Sequence, residues 1–284
     1  MKGIILAGGD GTRLKPITIS YSKQLIPVFD KPLIYYPLST LMNMGIKDIL
    51  IIVKSNQKEN FYNLLKNGKQ FGINISYETQ DNPNGIAEAL LIGKKFIKDD
   101  NISLILGDNI FYSQELKIKY SKIFKRNGAT IFLYKVNNPE DYGVANIKKE
   151  KLISIIEKPK KPYTNYAVTG LYIYDNKAIE YASKLKPSSR GELEITDLNN
   201  IFIKNKRMNF IKLKNSSVWF DAGTPSSLLF ASQYIQALQE RNNILISSPE
   251  EISYKNNYIN KKELKKIIKN MPSNNYYNLL SKIK

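Results

Sequence analysis

Gly8, Gly9 and Gly11 stand close together at the end of the apolar run Ile4-Ile5-Leu6, directly before Thr12 and Arg13. Glycines so placed let the backbone approach a ligand closely, and successive N–H groups in such a turn can cradle an anion. Arg13 adds a planar fork of donors that matches phosphate oxygens. The spacing is neither G-x-G-x-x-G nor G-x-x-x-x-G-K-[ST], so the common dinucleotide and P-loop signatures do not apply. Taken alone, the segment reads equally as an anion cradle or as a tight strand-to-loop connection.

Two aspartates and three cations could complete such a site. Asp108 closes the run Leu104-Ile105-Leu106-Gly107, and Asp221 follows Trp219-Phe220. A carboxylate at a strand end beside a phosphate-binding turn suits Mg²⁺, which is held by one or two carboxylates plus substrate phosphates. Each aspartate alone also reads as a turn or helix N-cap residue. Lys23 precedes the stretch Leu25-Ile26-Pro27-Val28, Lys158 lies in Glu157-Lys158-Pro159, and Arg190 sits in the loop Pro187-Ser188-Ser189-Arg190-Gly191. The chain has no histidine and no cysteine. That excludes His-based triads, thiolate nucleophiles, disulfides and soft-ligand metal sites. Chemistry is left to carboxylates, Lys, Arg, hydroxyls and hard metal ions.

The elements that must position these residues follow from the apolar pattern. Strands are expected at Gly3–Ala7, Ile49–Val53, Ile73–Glu78, Ser103–Leu106 and Thr130–Val136. Between them the spacing predicts helices at Pro37–Met44, Gln57–Leu65, Ile86–Ile97 and Gln114–Lys125. Continuous apolar strands between amphipathic helices indicate a Rossmann-like, doubly wound, mostly parallel α/β sheet with helices on both faces. Ligands bind such sheets at the carboxyl ends of strands, where the glycine turn and Gly107-Asp108 both fall. After Pro139 the pattern becomes β-rich, with strands at Val144–Ile147, Leu152–Ile156 and Ala167–Tyr174, which reads as an insertion covering the site. Helices at Lys177–Leu185 and Ile195–Lys204, a strand at Met208–Leu213 and a long helix at Pro225–Arg241 complete the main body. The expected division is 1–241 for the main domain, in two parts of about 1–136 and 137–224. Residues 242–284 form a small helical appendage, in which Leu264, Ile267 and Ile268 have helical spacing.

A net charge of +18 in 284 residues raises nucleic acid as a partner. The lysines are spread along the chain rather than gathered in a stripe, and the joint abundance of Lys, Ile, Asn and Tyr matches the drift of an AT-rich genome. The charge therefore reads as solvated surface, with no nucleic-acid partner. No apolar run has the length of a membrane span, and the N-terminus enters a strand directly, so a cytoplasmic setting without a membrane partner is expected.

Set side by side, these segments resemble sugar-1-phosphate nucleotidylyltransferases, most of all those that join dTTP to glucose 1-phosphate. The resemblance runs from Gly8-Gly9-Asp10-Gly11-Thr12-Arg13-Leu14 and Ser22-Lys23-Gln24-Leu25 through Asp30-Lys31-Pro32, Gly107-Asp108-Asn109, Tyr142-Gly143-Val144 and Glu157-Lys158-Pro159. It continues over Asn165–Tyr172, Arg190–Asp197 and Pro249–Ile252, covering about residues 1–255. It implies thymidylyl transfer from dTTP to glucose 1-phosphate with Mg²⁺, and a homotetramer. By the resemblance, Gly8, Gly9, Gly11, Thr12 and Arg13 hold the nucleotide phosphates, and Lys23 contacts those that leave as pyrophosphate. Gln80 and the Gly85 backbone read the base, and Asp108 and Asp221 hold the metal. Tyr142, Gly143, Glu157, Val168 and Tyr172 contact the sugar, while Lys158 and Arg190 face its phosphate. Two alternatives stay open: another nucleotide or sugar phosphate, and a non-catalytic relative that binds nucleotide sugars.

The chain departs from the family pattern in places. Pro83-Asn84-Gly85 stands where Pro-Asp-Gly is usual, Glu88 where Gln is usual, and Asp221-Ala222-Gly223-Thr224 where Asp-Thr-Gly-Thr is usual. The segment Glu251–Lys255 resembles part of a second, feedback-inhibitory nucleotide-sugar site. Lys255, Asn215 and Ser217 replace the usual Arg, Arg and Tyr there, so weakened feedback control is expected, because Lys cannot reproduce bidentate contacts.

Overall fold

A computed structural model of the chain describes residues 1–113, 127–214 and 216–283. Strand β1 (Lys2–Ala7) leads through the glycine turn and a small antiparallel pair, β2 (Pro27–Val28) and β3 (Lys31–Pro32), into helix α1 (Tyr35–Asn43). β4 (Asp48–Val53), α2 (Lys58–Leu65) and β5 (Asn74–Thr79) follow. The helix expected over Ile86–Ile97 forms as two short ones, α3 (Glu88–Ile92) and α4 (Lys94–Ile97). They meet at Gly93, where a Cβ would lie 2.9 Å from Ile4 Cδ1, so the backbone packs directly on β1. β6 (Ile102–Leu106) and β7 (Asn109–Tyr112) end this half. The helix expected at Gln114–Lys125 lies outside the described residues.

The second half brings β8 (Ala129–Lys135), β9 (Gly143–Lys148), β10 (Lys151–Glu157) and β11 (Tyr166–Tyr174), then α5 (Lys177–Ser183) and α6 (Ile195–Lys204). β12 (Met208–Lys212), β13 (Val218–Asp221) and the long α7 (Pro225–Asn242) come next. Three helices finish the described chain: α8 (Pro249–Lys255), α9 (Lys261–Lys269) and α10 (Asn275–Ser281).

Among the described residues the main sheet has nine strands, with the path β10-β9-β11-β6-β1-β4-β5, and β8 and β12 joined beside β11. Its centre, β6-β1-β4-β5, is parallel. Alternation along β1 feeds a core on each face, as expected for a sheet covered on both sides. Ile5 packs with Ile51, Ile105 and the α1 residues Leu38 and Leu41, while Ile4 packs with Leu50, Leu104 and the α3 residues Ala89 and Leu90. β11 runs antiparallel to β6 and forks the sheet. Its Ala167 pairs with Val144 of β9, whereas Leu171–Tyr174 pair with β6, and its register with β8 shifts between Val168 and Tyr172. The β9–β10 hairpin thus joins the sheet at Ala167, beyond the stretch of β11 that pairs with β6.

The last helices are tied to the body by buried polar contacts. Ser253 Oγ donates to the Phe71 carbonyl (2.8 Å), and Tyr276 Oη donates to Glu250 Oε2 (2.5 Å). Leu264 of α9 is buried with Tyr276, Leu279 and Leu280. Among the described residues, no helix is long and apolar enough to cross a membrane.

Candidate active site

The parallel pairing of β1 with β6, Leu6 opposite Leu106, places both carboxyl ends at one opening. The Gly107 N–H continues the ladder by donating to the Leu6 carbonyl (2.9 Å). The glycine turn therefore leaves β1 beside Asp108, which leaves β6. β7 then pairs antiparallel with β13, setting Asn109 opposite Asp221, and the Ala222 N–H donates to the Asp108 carbonyl (3.0 Å). Two carboxylates far apart in sequence become neighbours through this small sheet. Neither serves as a helix cap. α7 starts on Thr224, whose side chain exchanges hydrogen bonds with Ser227, leaving Asp221 outside the capping box.

Lys23 is ion-paired with Asp108, and both side chains are largely buried. Asn109 Nδ2 donates to the other Asp108 oxygen (3.1 Å), while its Oδ1 accepts from Trp219 Nε1 (2.6 Å) and the Gly170 N–H (3.0 Å). Asp108 is thus fixed from two sides. Burial works against its charge, but the Lys23 ammonium and the Asn109 amide outweigh burial and hold its carboxyl below the usual range. Burial also opposes the charge on Lys23, and its Asp108 partner more than compensates, so its pKa rises. Among the described residues Asp221 has no such direct partner. Burial, reinforced by the like charge of Asp108, pushes its carboxyl up to about 6, while Lys23, Arg13 and Lys158 pull the other way. Arg13 reaches the same spot: a Cβ on Gly223 would lie 2.5 Å from Arg13 Nη2 and 2.9 Å from Asp221 Oδ1. The Ala222-Gly223 step is what lets the guanidinium lie over the Asp221 loop.

All of these charged groups except Lys23, which touches the site through Asp108, line a cavity of about 390 Å³. Arg13, Asp108 and Asp221 line it together with Tyr142, Gly143, Glu157, Lys158, Val168 and Tyr172, the set that the resemblance gave to the sugar. Lys158 follows β10 with a φ of +43°, a left-handed conformation rare for a residue with a side chain, and its N–H donates to the Tyr142 carbonyl (3.0 Å). Arg190 stands apart. It forks onto Glu194 through Nε (3.1 Å) and Nη2 (2.8 Å), lies 3.7 Å from Glu157 and does not line the cavity. The Ser188–Glu194 loop supplies its own carboxylates, which take the guanidinium that the sequence reading assigned to the sugar phosphate.

A second cavity, of about 410 Å³, lies against the glycine turn and is lined by Gly9, Asp10, Thr12, Lys15 and Lys54 among others. Lys54, which the sequence reading passed over, is ion-paired with Asp10 in that turn. Gln80, just past the end of β5, is buried, and a Cβ on Gly8 would meet its Oε1 at 3.2 Å. Gly85 has a φ of +107°, and a Cβ there would lie 2.4 Å from the Leu193 carbonyl oxygen. We expect Gly85→Ala to force this loop outward. The KM for the nucleotide should rise at least about tenfold while the melting temperature changes little, because the positive-φ penalty of about 1–2 kcal/mol falls on a surface loop. Steady-state kinetics with thermal melting would show it, and an unchanged KM would contradict it.

Sequence reasoning also missed Asn109 and Thr196 as site residues. Thr196 Oγ1 donates to Glu157 Oε2 (2.7 Å). Asn109 was visible only as the third residue of Gly107-Asp108-Asn109; its partners lie on β11 and β13. Of the positions tied to feedback control, Lys255 pairs with Glu251 (2.5 Å) and Ser217 Oγ donates to Ser113 Oγ (3.0 Å). Asn215 lies outside the described residues.

Comparison with known proteins agrees with this architecture. Residues 2–237 match the nucleotidyl transferase family. A glucose-1-phosphate thymidylyltransferase of Neisseria meningitidis is 47% identical over 97% of this chain and 96% of its own. One from Xanthomonas campestris pv. campestris is 48% identical over 97% of this chain and 94% of its own. Among solved structures, a Bacillus anthracis chain assigned as a glucose-1-phosphate thymidylyltransferase, with sucrose bound, superimposes with a TM-score of 0.77 at 43% identity, covering 82% of this chain and 94% of that one. A UDP-glucose pyrophosphorylase bound to UDP-glucose superimposes with a TM-score of 0.73 at 27% identity, covering 84% and 98%. With near-complete coverage at almost half identity, and with the strand ends and carboxylate pair described above, this chain belongs to the nucleotidyl transferase family.

Proposed function

We propose that this protein is a glucose-1-phosphate thymidylyltransferase, which joins dTTP and glucose 1-phosphate into dTDP-glucose and pyrophosphate. One observation carries the chemistry: Asp108, Asp221, Arg13 and Lys158 line the 390 Å³ cavity together, with Lys23 ion-paired to Asp108. The base and sugar come from the relatives' names, supported by nearly full-length matches.

In this reading the nucleotide phosphates lie on the Gly8–Thr12 turn with Gln80 and Gly85 at the base. Glucose 1-phosphate fills the cavity between Tyr142, Gly143, Glu157, Val168 and Tyr172, with its phosphate toward Lys158. A non-bridging oxygen of that phosphate attacks the α-phosphorus in line. A new P–O bond forms, the bond from the α-phosphorus to the oxygen bridging to the β-phosphorus breaks, and that oxygen departs with pyrophosphate. The attacking phosphate is already deprotonated near neutral pH, so no general base is needed, and the chain offers no histidine for one. The residues must keep two anions together and stabilise the charge on the transferring group. Arg13, Lys23 and Lys158 do this; Lys23 is largely buried, where a fixed charge acts more strongly than in water, and Arg13 and Lys158 act from exposed positions. Holding the reactants in line contributes further, up to about 7–11 kcal/mol in well-oriented systems. Arg190 acts from the rim, through its contact with Glu157. The reading also assigns residues 1–136 to the nucleotide, 137–224 to the sugar phosphate and 242–284 to an appendage. It further carries the homotetramer and cytoplasmic setting implied by the resemblance.

The donor set fits Mg²⁺. Among the described residues no group of three or more His, Cys, Asp or Glu could hold a metal alone. Two adjacent carboxylates leave the remaining positions to phosphate oxygens and water, the arrangement Mg²⁺ favours. Asp108 and Asp221 would hold the ion, which when bound supplies charge neutralisation between the two phosphates. Binding needs Asp221 ionised, and its carboxyl is raised to about 6. Mn²⁺ affinity should therefore be level above pH 7 and fall about tenfold per pH unit below 6, where binding releases a proton from Asp221. Calorimetry in buffers of different ionisation enthalpy reads this directly, and affinity independent of pH between 5 and 7 would contradict it.

The activity itself is tested by pyrophosphate release across a panel of nucleoside triphosphates and sugar 1-phosphates with Mg²⁺. The fastest turnover is expected for dTTP with glucose 1-phosphate, and no turnover with any pair would refute the enzyme.

A further inference from the structure

Gln80, which the resemblance assigns to the base, is held by both its backbone and its side chain. Its N–H completes the ladder to the Val53 carbonyl (2.8 Å), and its side chain is buried. Its Nε2 donates to Glu88 Oε2 (2.6 Å) and to the Gly85 carbonyl (3.3 Å), so both amide hydrogens have acceptors inside the protein. The other Glu88 oxygen, Oε1, accepts from Asn84 Nδ2 (2.9 Å), so both carboxylate oxygens have donors. What remains of the carboxamide is Oε1, which faces the glycine turn at Gly8.

The two departures from the family pattern in this loop are matched. An aspartate at position 84 would face Glu88 with like charge, whereas Asn84 gives it a donor. An ionised carboxylate only accepts hydrogen bonds. Glu88 can therefore meet only the NH₂ end of Gln80, while a glutamine at that position could meet either end.

We propose that Glu88 is a positioning residue that locks the Gln80 carboxamide with its oxygen toward the nucleotide, making the site read an imide N–H on the base. This rests on the assignment of Gln80 to the base. Thymine and uracil carry that N–H at N3. Cytosine presents an acceptor at N3, which would face Oε1 with no hydrogen between them. Sites built to bond a group reject ligands that lack it, because the buried polar atom is left without a partner. The lock thus selects against dCTP and does not separate dTTP from UTP.

The test is kcat/KM for dTTP, UTP and dCTP, with glucose 1-phosphate, in the wild-type protein and in Glu88→Gln. Freeing the amide to turn over should lower the dTTP:dCTP ratio at least tenfold and leave the dTTP:UTP ratio within threefold. Loss of a negative charge near the triphosphate affects all three nucleotides alike and cancels in both ratios. Glu88→Ala, which offers Gln80 no partner, should move the ratios the same way. Thermal melting of each variant confirms a folded protein. A dTTP:dCTP ratio that changes less than tenfold in both variants overturns the lock, as does a parallel fall in both ratios, which would mark Glu88 as loop scaffolding. Failure of the wild-type protein to turn over dTTP would instead overturn the function itself.

Discussion

Asp108→Asn should lower turnover by about a hundred- to a thousandfold, the scale on which removing one preorganised electrostatic contact acts. The substitution removes an ionised ligand from the proposed metal pair and the counter-charge of Lys23 in one step. Breaking a buried ion pair by removing one partner commonly costs about 3–5 kcal/mol of stability. Here the loss should be smaller, because Asp221 stands ready. Its carboxyl is raised to about 6 by burial and by the Asp108 charge. With that charge gone, its pKa should drop toward the ordinary carboxylate range, and the Asp221 carboxylate can balance Lys23. The expected signature is a large fall in pyrophosphate release, a modest fall in melting temperature and a downward shift of Asp221 in a carboxyl NMR titration. Turnover within tenfold of wild type would reduce Asp108 to a structural aspartate.

Lys23→Met should produce a comparable loss of turnover with the opposite effect on metal binding. Lys23 Nζ occupies one oxygen of Asp108 in the ligand-free protein. Removing the ammonium frees that oxygen and removes a competing cation, so Mn²⁺ should bind the ligand-free variant more tightly than wild type. Turnover should still fall by about a hundredfold or more, since a fixed positive charge beside the leaving phosphates is lost. The pH dependence should sharpen as well. Asp108 and Asp221, left without Lys23 between them, repel more strongly, and one of them should keep its proton to higher pH. Calorimetric Mn²⁺ titrations beside steady-state rates separate these effects. If metal affinity and turnover fall together, Lys23 acts as a scaffold for the carboxylates rather than on phosphate.

Much of the fold was legible because hydrophobic period and chain direction are local properties. The run Ile4-Ile5-Leu6, its equivalents at Ile49–Val53 and Ser103–Leu106, and the helices between them require a parallel sheet covered on both faces. β7 and β13 were not legible as strands. Each is short, and among the described residues Asn109–Tyr112 and Val218–Asp221 make a ladder with one another across the chain. The break in the helix at Gly93 was likewise hidden, because its cause is the approach of β1. Lys54 and Thr196 carry no local signal, since a polar residue in a polar stretch becomes part of a site only through its neighbour in space.

Arg190 shows the limit from the other side. Its residue type and motif suit a phosphate, but the loop that carries it also carries Glu192 and Glu194, and the guanidinium closes on Glu194.

The sequence by itself determined the chemical vocabulary of this protein: no histidine, no thiol, a glycine turn with an arginine, and aspartates at strand ends, hence phosphate chemistry with hard metal ions. Its motif order determined the family. Only the tertiary structure decided which of these groups act on one another. Whether Asp221 is a cap or the neighbour of Asp108, whether Arg190 reaches the cavity, and which end of Gln80 faces the glycine turn depend on distances of a few ångströms between segments far apart in the chain. Coulomb and hydrogen-bond energies are set by those distances and by burial, and neither is written in local composition.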